Sequence, residues 1–324
     1  MDILEIKAYL ARPMEEVSAL LEASLRSDIA LLDATNRSLL AQGGKLLRPL
    51  LSILSAGACG GINADSIRFA AASELIHNAT LLHDDVVDGA TTRRGKPTVM
   101  SILSSPASVL VGDFWLVKAI RCILEADRYS ERVIRLFSKT LSDLAEGEML
   151  QLQKASSCDT TREDYFRIIY FKTASLFESA VLSGAVSADA PEEWTAALAG
   201  YARNLGLAFQ IKDDIFDYTG GEGLGKPVGI DLREQKITLP LLAALEAAPE
   251  EASAVRAMVG QISDMPDLAV RVRNFVLERN GVEKAVAEMD GCIDEAVSCL
   301  DELPQTQEKT YLAELARFVG ERTF

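Results

Sequence analysis

Residues Leu136–Leu152 read LFSKTLSDLAEGEMLQL, and in them Leu136, Leu141, Leu144, Met149 and Leu152 recur at helical spacing rather than in the alternation of a strand. The stretch sits inside residues 107–190, which contain no proline, so no ring clash or missing N–H obliges a helix there to break. On either side, the prolines at 13, 49, 97, 106, 191, 227, 240, 249, 266 and 304 leave further long stretches of helical period and none with the alternation of strands. The chain reads as all-α. Breaks are expected at Gly43-Gly44, Gly60-Gly61, the Gly95 to Pro106 segment, Ala188 to Glu192, Gly220 to Pro227 and Ala247 to Glu250. Phe69 to Leu82 and Ala196 to Ile215 are apolar or small on more than one face, as helices buried in a large bundle are.

The 324 residues include 48 Asp and Glu against 33 Lys and Arg, a net charge of −15. Such an excess repels a polyanion, which excludes a general nucleic-acid binder and means that any anionic ligand must be met by local cations or metal ions. With 48% hydrophobic and 25% charged residues the chain can build a large core, and it is read as one domain, residues 1–324. No apolar run approaches the ~18 residues of a membrane span, and Met1-Asp2-Ile3-Leu4-Glu5 lacks the basic start of a secretory signal, so a cytoplasmic protein is expected. Cys59, Cys122, Cys158, Cys292 and Cys299 form no C-x-x-C pair and are expected to be reduced, mostly packed thiols.

One short pattern occurs twice, about 130 residues apart: Asp84-Asp85-Val86-Val87-Asp88 and Asp213-Asp214-Ile215-Phe216-Asp217, both D-D-x-x-D. On a helix the first and last aspartates stack on one face about 6 Å apart, so their carboxylates can converge on one cation. Aspartates on helices are usually solvated surface groups, but each cluster here ends largely apolar sequence, Ala79 to Leu82 and Leu205 to Phe209. Hard oxygen donors without cysteine favour magnesium or manganese, and magnesium takes few carboxylates and completes its shell with phosphate oxygens. A metal-bridged diphosphate is the expected ligand. The only histidines are His77 and His83; Glu74 to His77 matches E-x-x-H, but no second histidine-bearing copy exists, which rules out a di-iron bundle. His77 lies two turns before Asp84 and can face the same cavity.

Cations for the phosphates are at hand. Gly43-Gly44-Lys45-Leu46-Leu47-Arg48-Pro49 places Lys45 and Arg48 three apart after a glycine pair, and Arg93-Arg94-Gly95-Lys96 follows Asp88 by five residues. Gly220 to Lys226 formally contains G-x-x-x-x-G-K, yet Pro227 replaces the magnesium-binding hydroxyl and no strand precedes it. It is read as a mobile loop able to bring Lys226 over bound phosphates, continued by Asp231, Lys236 and Thr238 into a helix starting near Pro240.

These residues resemble the trans-isoprenyl diphosphate synthases over nearly the whole chain. Gly43 to Pro49 is similar to the family's G-G-K-x-x-R-P, and Glu74 to Asp88 with Arg93-Arg94-Gly95 to its first aspartate-rich motif; Gly112-Asp113, Gly147-Glu148, Lys172-Thr173 and Phe209 to Asp217 are similar to later ones. Two departures are Glu234-Gln235-Lys236, where many members have glycine before the lysine, and the end of the sequence, where a basic tail is common but only Arg322 precedes Thr323-Phe324. The resemblance implies a single bundle of mostly antiparallel helices around a deep cavity, the isoprenoid synthase fold, with the aspartate motifs facing each other across its mouth. It implies that Asp84, Asp88 and Asp213 bind magnesium, with Asp85, Asp214 and Asp217 as direct or water-mediated support. Arg93, Lys172, Lys226 and Lys236 would contact an allylic diphosphate (farnesyl or geranylgeranyl), Lys45, Arg48, His77 and Arg94 isopentenyl diphosphate, and Thr173 and Gln210 would lie near the reacting carbons. It also implies a homodimer.

In such an enzyme the product tail runs along the helix before Asp84, where Ala79 and Thr80 stand one turn away and neither is an aromatic plug. By resemblance these small residues accompany a long-chain all-trans product, as for a quinone side chain, delivered to a membrane, with Phe114 or Trp115 as candidate floor. The alternatives are a farnesyl or geranylgeranyl diphosphate synthase, a terpene cyclase, disfavoured because it has no second diphosphate for Lys45, Arg48 and Arg94 to hold, and a non-catalytic partner subunit.

Overall fold

Asn63 starts the long helix that carries the first aspartate motif. Its side chain accepts from Ser66 N at 3.0 Å while Ser66 Oγ accepts from Asn63 N at 3.1 Å, a reciprocal cap that satisfies two otherwise unpaired donors. The computed structural model describes residues 3–93, 95–220 and 229–322. In order they form α1 (Ile3–Tyr9), α2 (Ala11–Ser24), α3 (Ala30–Ala41), α4 (Leu47–Ala58), α5 (Ala64–Val87), β1 (Thr92–Arg93), β2 (Lys96–Pro97), α6 (Val99–Ile102), α7 (Ser105–Leu124) and α8 (Ser130–Ser157). There follow α9 (Arg162–Ile169), a π-helical turn (Tyr170–Ala174), α10 (Ser175–Ser187), α11 (Glu192–Thr219), α12 (Ile230–Arg233), α13 (Leu239–Ala247), α14 (Ala252–Gly260), α15 (Leu268–Glu278), α16 (Gly281–Cys299), a 3-10 turn (Leu300–Glu302) and α17 (Gln307–Glu321). Among the described residues no helix is long and apolar enough to cross a membrane.

The chain divides into two compact units, residues 1–138, 179–198 and 302–312, and residues 139–178, 199–301 and 313–324. In the first, every residue of α5 from Phe69 to Ile76 is buried, as its small apolar sequence predicts. Gly184 of α10 lets Ser52 of α4 approach so closely that a Cβ would strike its carbonyl, and Ser55 Oγ donates to Val181 O at 2.8 Å. In the second, α11 buries Tyr201, Leu205, Ala208 and Ile211, and α13, with Pro240 in its first turn, is buried from Leu239 to Leu245. The expected breaks at Gly43-Gly44, Gly60-Gly61, Ala188 to Glu192 and Ala247 to Glu250 fall between helices; the one at Gly220 to Pro227 lies mostly outside the described residues. The Gly95 to Pro106 segment differs from a plain break. It holds α6, and β1 and β2 pair antiparallel with Arg93 opposite Lys96, too short a ladder to show a period.

Candidate active site

In the first unit the aspartate motif lies at the end of α5. Asp88 closes that end, its N–H donating to Asp84 O at 2.8 Å, so Asp84 and Asp88 lie one turn apart, the first half-buried and the second exposed. Asp85 turns inward and is 4% exposed. Burial raises its pKa, opposed by Arg93, whose Nε donates to Asp85 Oδ1 at 2.7 Å. A cavity beside this pair is lined by Gly43, Asn78, Leu82, Asp85, Arg93 and Lys96.

Lys45 is exposed and Arg48 half-buried where α4 begins, and His77 is half-buried on α5. Arg94 lies outside the described residues, as does Lys226. Ala79 is fully buried, its carbonyl beside Gly112, and Thr80 Oγ1 donates to His77 O at 2.8 Å. Gly112-Asp113 acts on a residue that the sequence left without a role: a Cβ on Gly112 would strike His83, whose Nε2 lies 3.3 Å from Asp113 Oδ1. Trp115 is a hydrogen-bonded core residue, its Nε1 donating to buried Asn36 Oδ1 at 2.8 Å.

In the second unit two glycines squeeze the π-helical turn that carries Lys172 and Thr173. An added Cβ on Gly147 of α8 would come within 2.7 Å of Phe171 Cβ, and on Gly206 of α11 within 2.5 Å of Ala174 Cα. The extra residue of a π turn re-aims neighbouring side chains, and such turns recur at functional sites. Glu148, next to Gly147, takes the Lys172 ammonium at 2.5 Å. Thr173 Oγ1 donates to Gln210 Oε1 at 2.8 Å, Gln210 Nε2 to Asp214 Oδ1 at 2.9 Å, and Tyr165 OH to Asp214 Oδ2 at 2.7 Å. A cavity of about 170 Å³ is lined by Lys172, Gln210, Asp214, Asp231 and Lys236 among others. Gln235, before Lys236, takes φ +58°, a left-handed conformation that glycine adopts without strain, and its amide donates to Gly260 O at 2.9 Å.

The three carboxylates of the second motif are not equivalent. Both oxygens of Asp214 are taken, by Gln210 and Tyr165, and both of Asp217, by the N–H groups of Ile230 at 2.9 Å and Asp231 at 3.2 Å. Asp213 Oδ1 accepts from Arg322 Nη2 at 3.0 Å, and among the described residues nothing donates to its Oδ2. Burial raises the pKa of Asp214, with the Asp231 charge adding to it, and that of Asp217, and pushes Asp231 up to about 7, with Lys236 opposing. Among the described residues no three carboxylate, imidazole or thiol groups form a ready-made metal cage. The donor set fits magnesium nevertheless: hard carboxylate oxygens with no thiolate or imidazole among the six aspartates, with the remaining positions left to phosphate oxygens.

The sequence alone missed Tyr165, His83 and the partner role of Arg322. Their partners lie tens of residues away, so no local spacing announces them; for His83 and Lys172, the Gly-Asp and Gly-Glu dipeptides were the available signal.

A family model described as Polyprenyl synthetase matches residues 29–274. Octaprenyl diphosphate synthase of Escherichia coli (strain K12) is 37% identical over 324 residues, 99% of this chain and 99% of that protein. All-trans-nonaprenyl-diphosphate synthase (geranyl-diphosphate specific) of Rhodobacter capsulatus is 35% identical over 98% of this chain and 97% of its own length. A crystal structure of polyprenyl synthase from Caulobacter crescentus CB15, complexed with calcium and isoprenyl diphosphate, superimposes with a TM-score of 0.91 at 36% identity, covering 99% of this chain and 98% of that one. The chain belongs to the polyprenyl synthetase family of trans-prenyltransferases. Its all-α architecture is that of the isoprenoid synthases, as the sequence led us to expect.

Proposed function

We propose that the chain condenses isopentenyl diphosphate with an allylic diphosphate, farnesyl or geranylgeranyl, to give a long-chain all-trans polyprenyl diphosphate for a quinone side chain. The observation that carries this reading is the second-unit cavity, where phosphate-type cations, Lys172 and Lys236, stand beside the carboxylate Asp214 and the Thr173–Gln210 pair. Asp84, Asp88 and Asp213 would hold magnesium, which supplies positive charge to the departing diphosphate when bound. Lys172, steadied by Glu148, and Lys236, with Arg93 and Lys226, bind the same diphosphate and favour its departure. Lys45, Arg48, His77 and Arg94 orient the second substrate so that its double bond meets the allylic cation, and Thr173 and Gln210 steady that cation's surroundings. The proton released then leaves with diphosphate, and no side-chain nucleophile is needed.

Residues 1–324 act as one synthase domain, since each compact unit is assembled from three separated stretches of chain. Leu110, Val117 and Leu124, exposed by 68%, 54% and 58% at seven-residue spacing on α7, support a homodimer. We place the enzyme in the cytoplasm, handing its product to a membrane. Incubation of the purified chain with farnesyl and isopentenyl diphosphates, followed by mass spectrometry, tests the reading. Products longer than geranylgeranyl diphosphate are expected. Shorter products would mark a farnesyl or geranylgeranyl synthase, and no turnover of the chain alone a partner subunit.

A further inference from the structure

Arg322, just after α17 and the last basic residue before Thr323-Phe324, has a side chain only 7% exposed. Its Nη2 donates both to Asp213 Oδ1 at 3.0 Å and to the Phe209 carbonyl at 2.8 Å. Its guanidinium lies 4.0 Å from the centre of the Phe209 ring and 5.5 Å from that of Phe216. Beside this pair, Lys212 Nζ donates to Gly320 O at 2.7 Å and ties the last turn of α17 onto α11. An arginine stacked on rings and hydrogen-bonded to a carbonyl is held on several sides and does not swing away readily.

We propose that Arg322 is a positioning residue for the metal site: it fixes the Asp213 carboxylate by one oxygen and presents the other, Oδ2, to the metal. The idea rests on the reading of Asp213 as a magnesium ligand given above. It follows from the uneven hydrogen bonding of the motif, in which, among the described residues, Asp214 and Asp217 have both oxygens engaged and Asp213 only one. Carboxylates that bind metals are themselves held by outer hydrogen bonds, and losing such a partner weakens metal affinity by about 10–100-fold. The opposite role, a counter-ion that metal must expel, predicts the opposite sign, because removing a positive charge would then tighten binding.

The test is calorimetric titration of Mg²⁺ into the full chain with inorganic pyrophosphate present, for the parent protein, Arg322→Gln and Arg322→Lys, each checked by its melting temperature. Binding at least ~10-fold weaker in Arg322→Gln is expected, with most of the loss restored by Arg322→Lys and the KM for isopentenyl diphosphate unchanged. Equal or tighter Mg²⁺ binding in a folded Arg322→Gln would overturn the positioning role alone. A lowered melting temperature with unaltered Mg²⁺ affinity in both variants would do the same and leave Arg322 a purely structural residue. No Mg²⁺ binding by the parent protein would overturn the metal-site reading and this proposal with it.

Discussion

Replacing Gly206 by alanine sets two effects against each other. Alanine is the better helix former by about 1 kcal/mol, so on propensity alone the change stabilises α11. The added methyl, however, would stand 2.5 Å from Ala174 Cα and 2.7 Å from Ala174 Cβ. Carbon atoms pack at about 3.5–4.0 Å, so α11 or the π-helical turn must retreat by about 1 Å, and forced repacking of this kind costs about 1–3 kcal/mol. The neighbour is backbone and cannot swing away, so the clash cancels the propensity gain or exceeds it by up to about 2 kcal/mol. A 1 Å retreat also stretches the 2.8 Å Thr173–Gln210 hydrogen bond beyond effective range. Misplacement of that size in an active site costs up to about 100-fold in rate. Gly291, exposed on α16 with nothing within 4 Å of an added Cβ, is the internal control, and there Gly291→Ala is expected to stabilise by about 1 kcal/mol. Urea unfolding and steady-state kinetics on both variants decide the matter. A Gly206→Ala protein as stable as Gly291→Ala and within twofold of the parent kcat would refute the account of the squeezed turn.

The remaining predictions concern charge and product. Asp231, pushed up to about 7, together with Asp214, Asp217 and Asp85, all raised mainly by burial, binds protons more tightly in the metal-free fold than in the unfolded chain. Their stabilising contribution is therefore complete below the unfolded value of 3.8 and is lost as pH rises toward 7. Chelator-treated Asp231→Asn should show a flatter decline in stability between pH 5 and 8 than the parent, and equal slopes would contradict the assignment. Glu148→Gln releases the Lys172 ammonium held at 2.5 Å and should lower kcat by ~10-fold with the KM for isopentenyl diphosphate little changed; an unaltered kcat would show that Lys172 needs no such support. Ala79→Phe puts a ring into a fully buried position on α5 and should shorten the product, at about 1–3 kcal/mol in stability; an unchanged product distribution would mean that the tail does not pass Ala79.

Local chemistry made much of the fold legible. α5 and α11 announce themselves by apolar and small residues around the whole helix, and the breaks at Gly60-Gly61 and Ala188 to Glu192 by their glycines and proline. Two breaks inside the proline-free residues 107–190 were not legible, because distant groups hold them. After α7, Asp65 accepts from Asp127 N and Arg128 N at 3.0 Å each, and Tyr129 takes φ +60°. After α8, Cys158 takes φ +52°, and its carbonyl accepts from Arg256 at 3.0 Å. At the candidate site, the D-D-x-x-D spacing singled out six aspartates, but not which of their oxygens stay unclaimed. That depends on Tyr165, Gln210 and Arg322, and Tyr165 and Arg322 are far in sequence from the carboxylates they hold.

Anomalous scattering from crystals grown with Mn²⁺ and an unreactive allylic thiolodiphosphate is the most direct check that both aspartate motifs serve a single diphosphate. Manganese peaks are expected on Asp84 and Asp88 and on Asp213 Oδ2, each also touching a diphosphate oxygen. Analogue bound with no manganese on either motif would contradict the account.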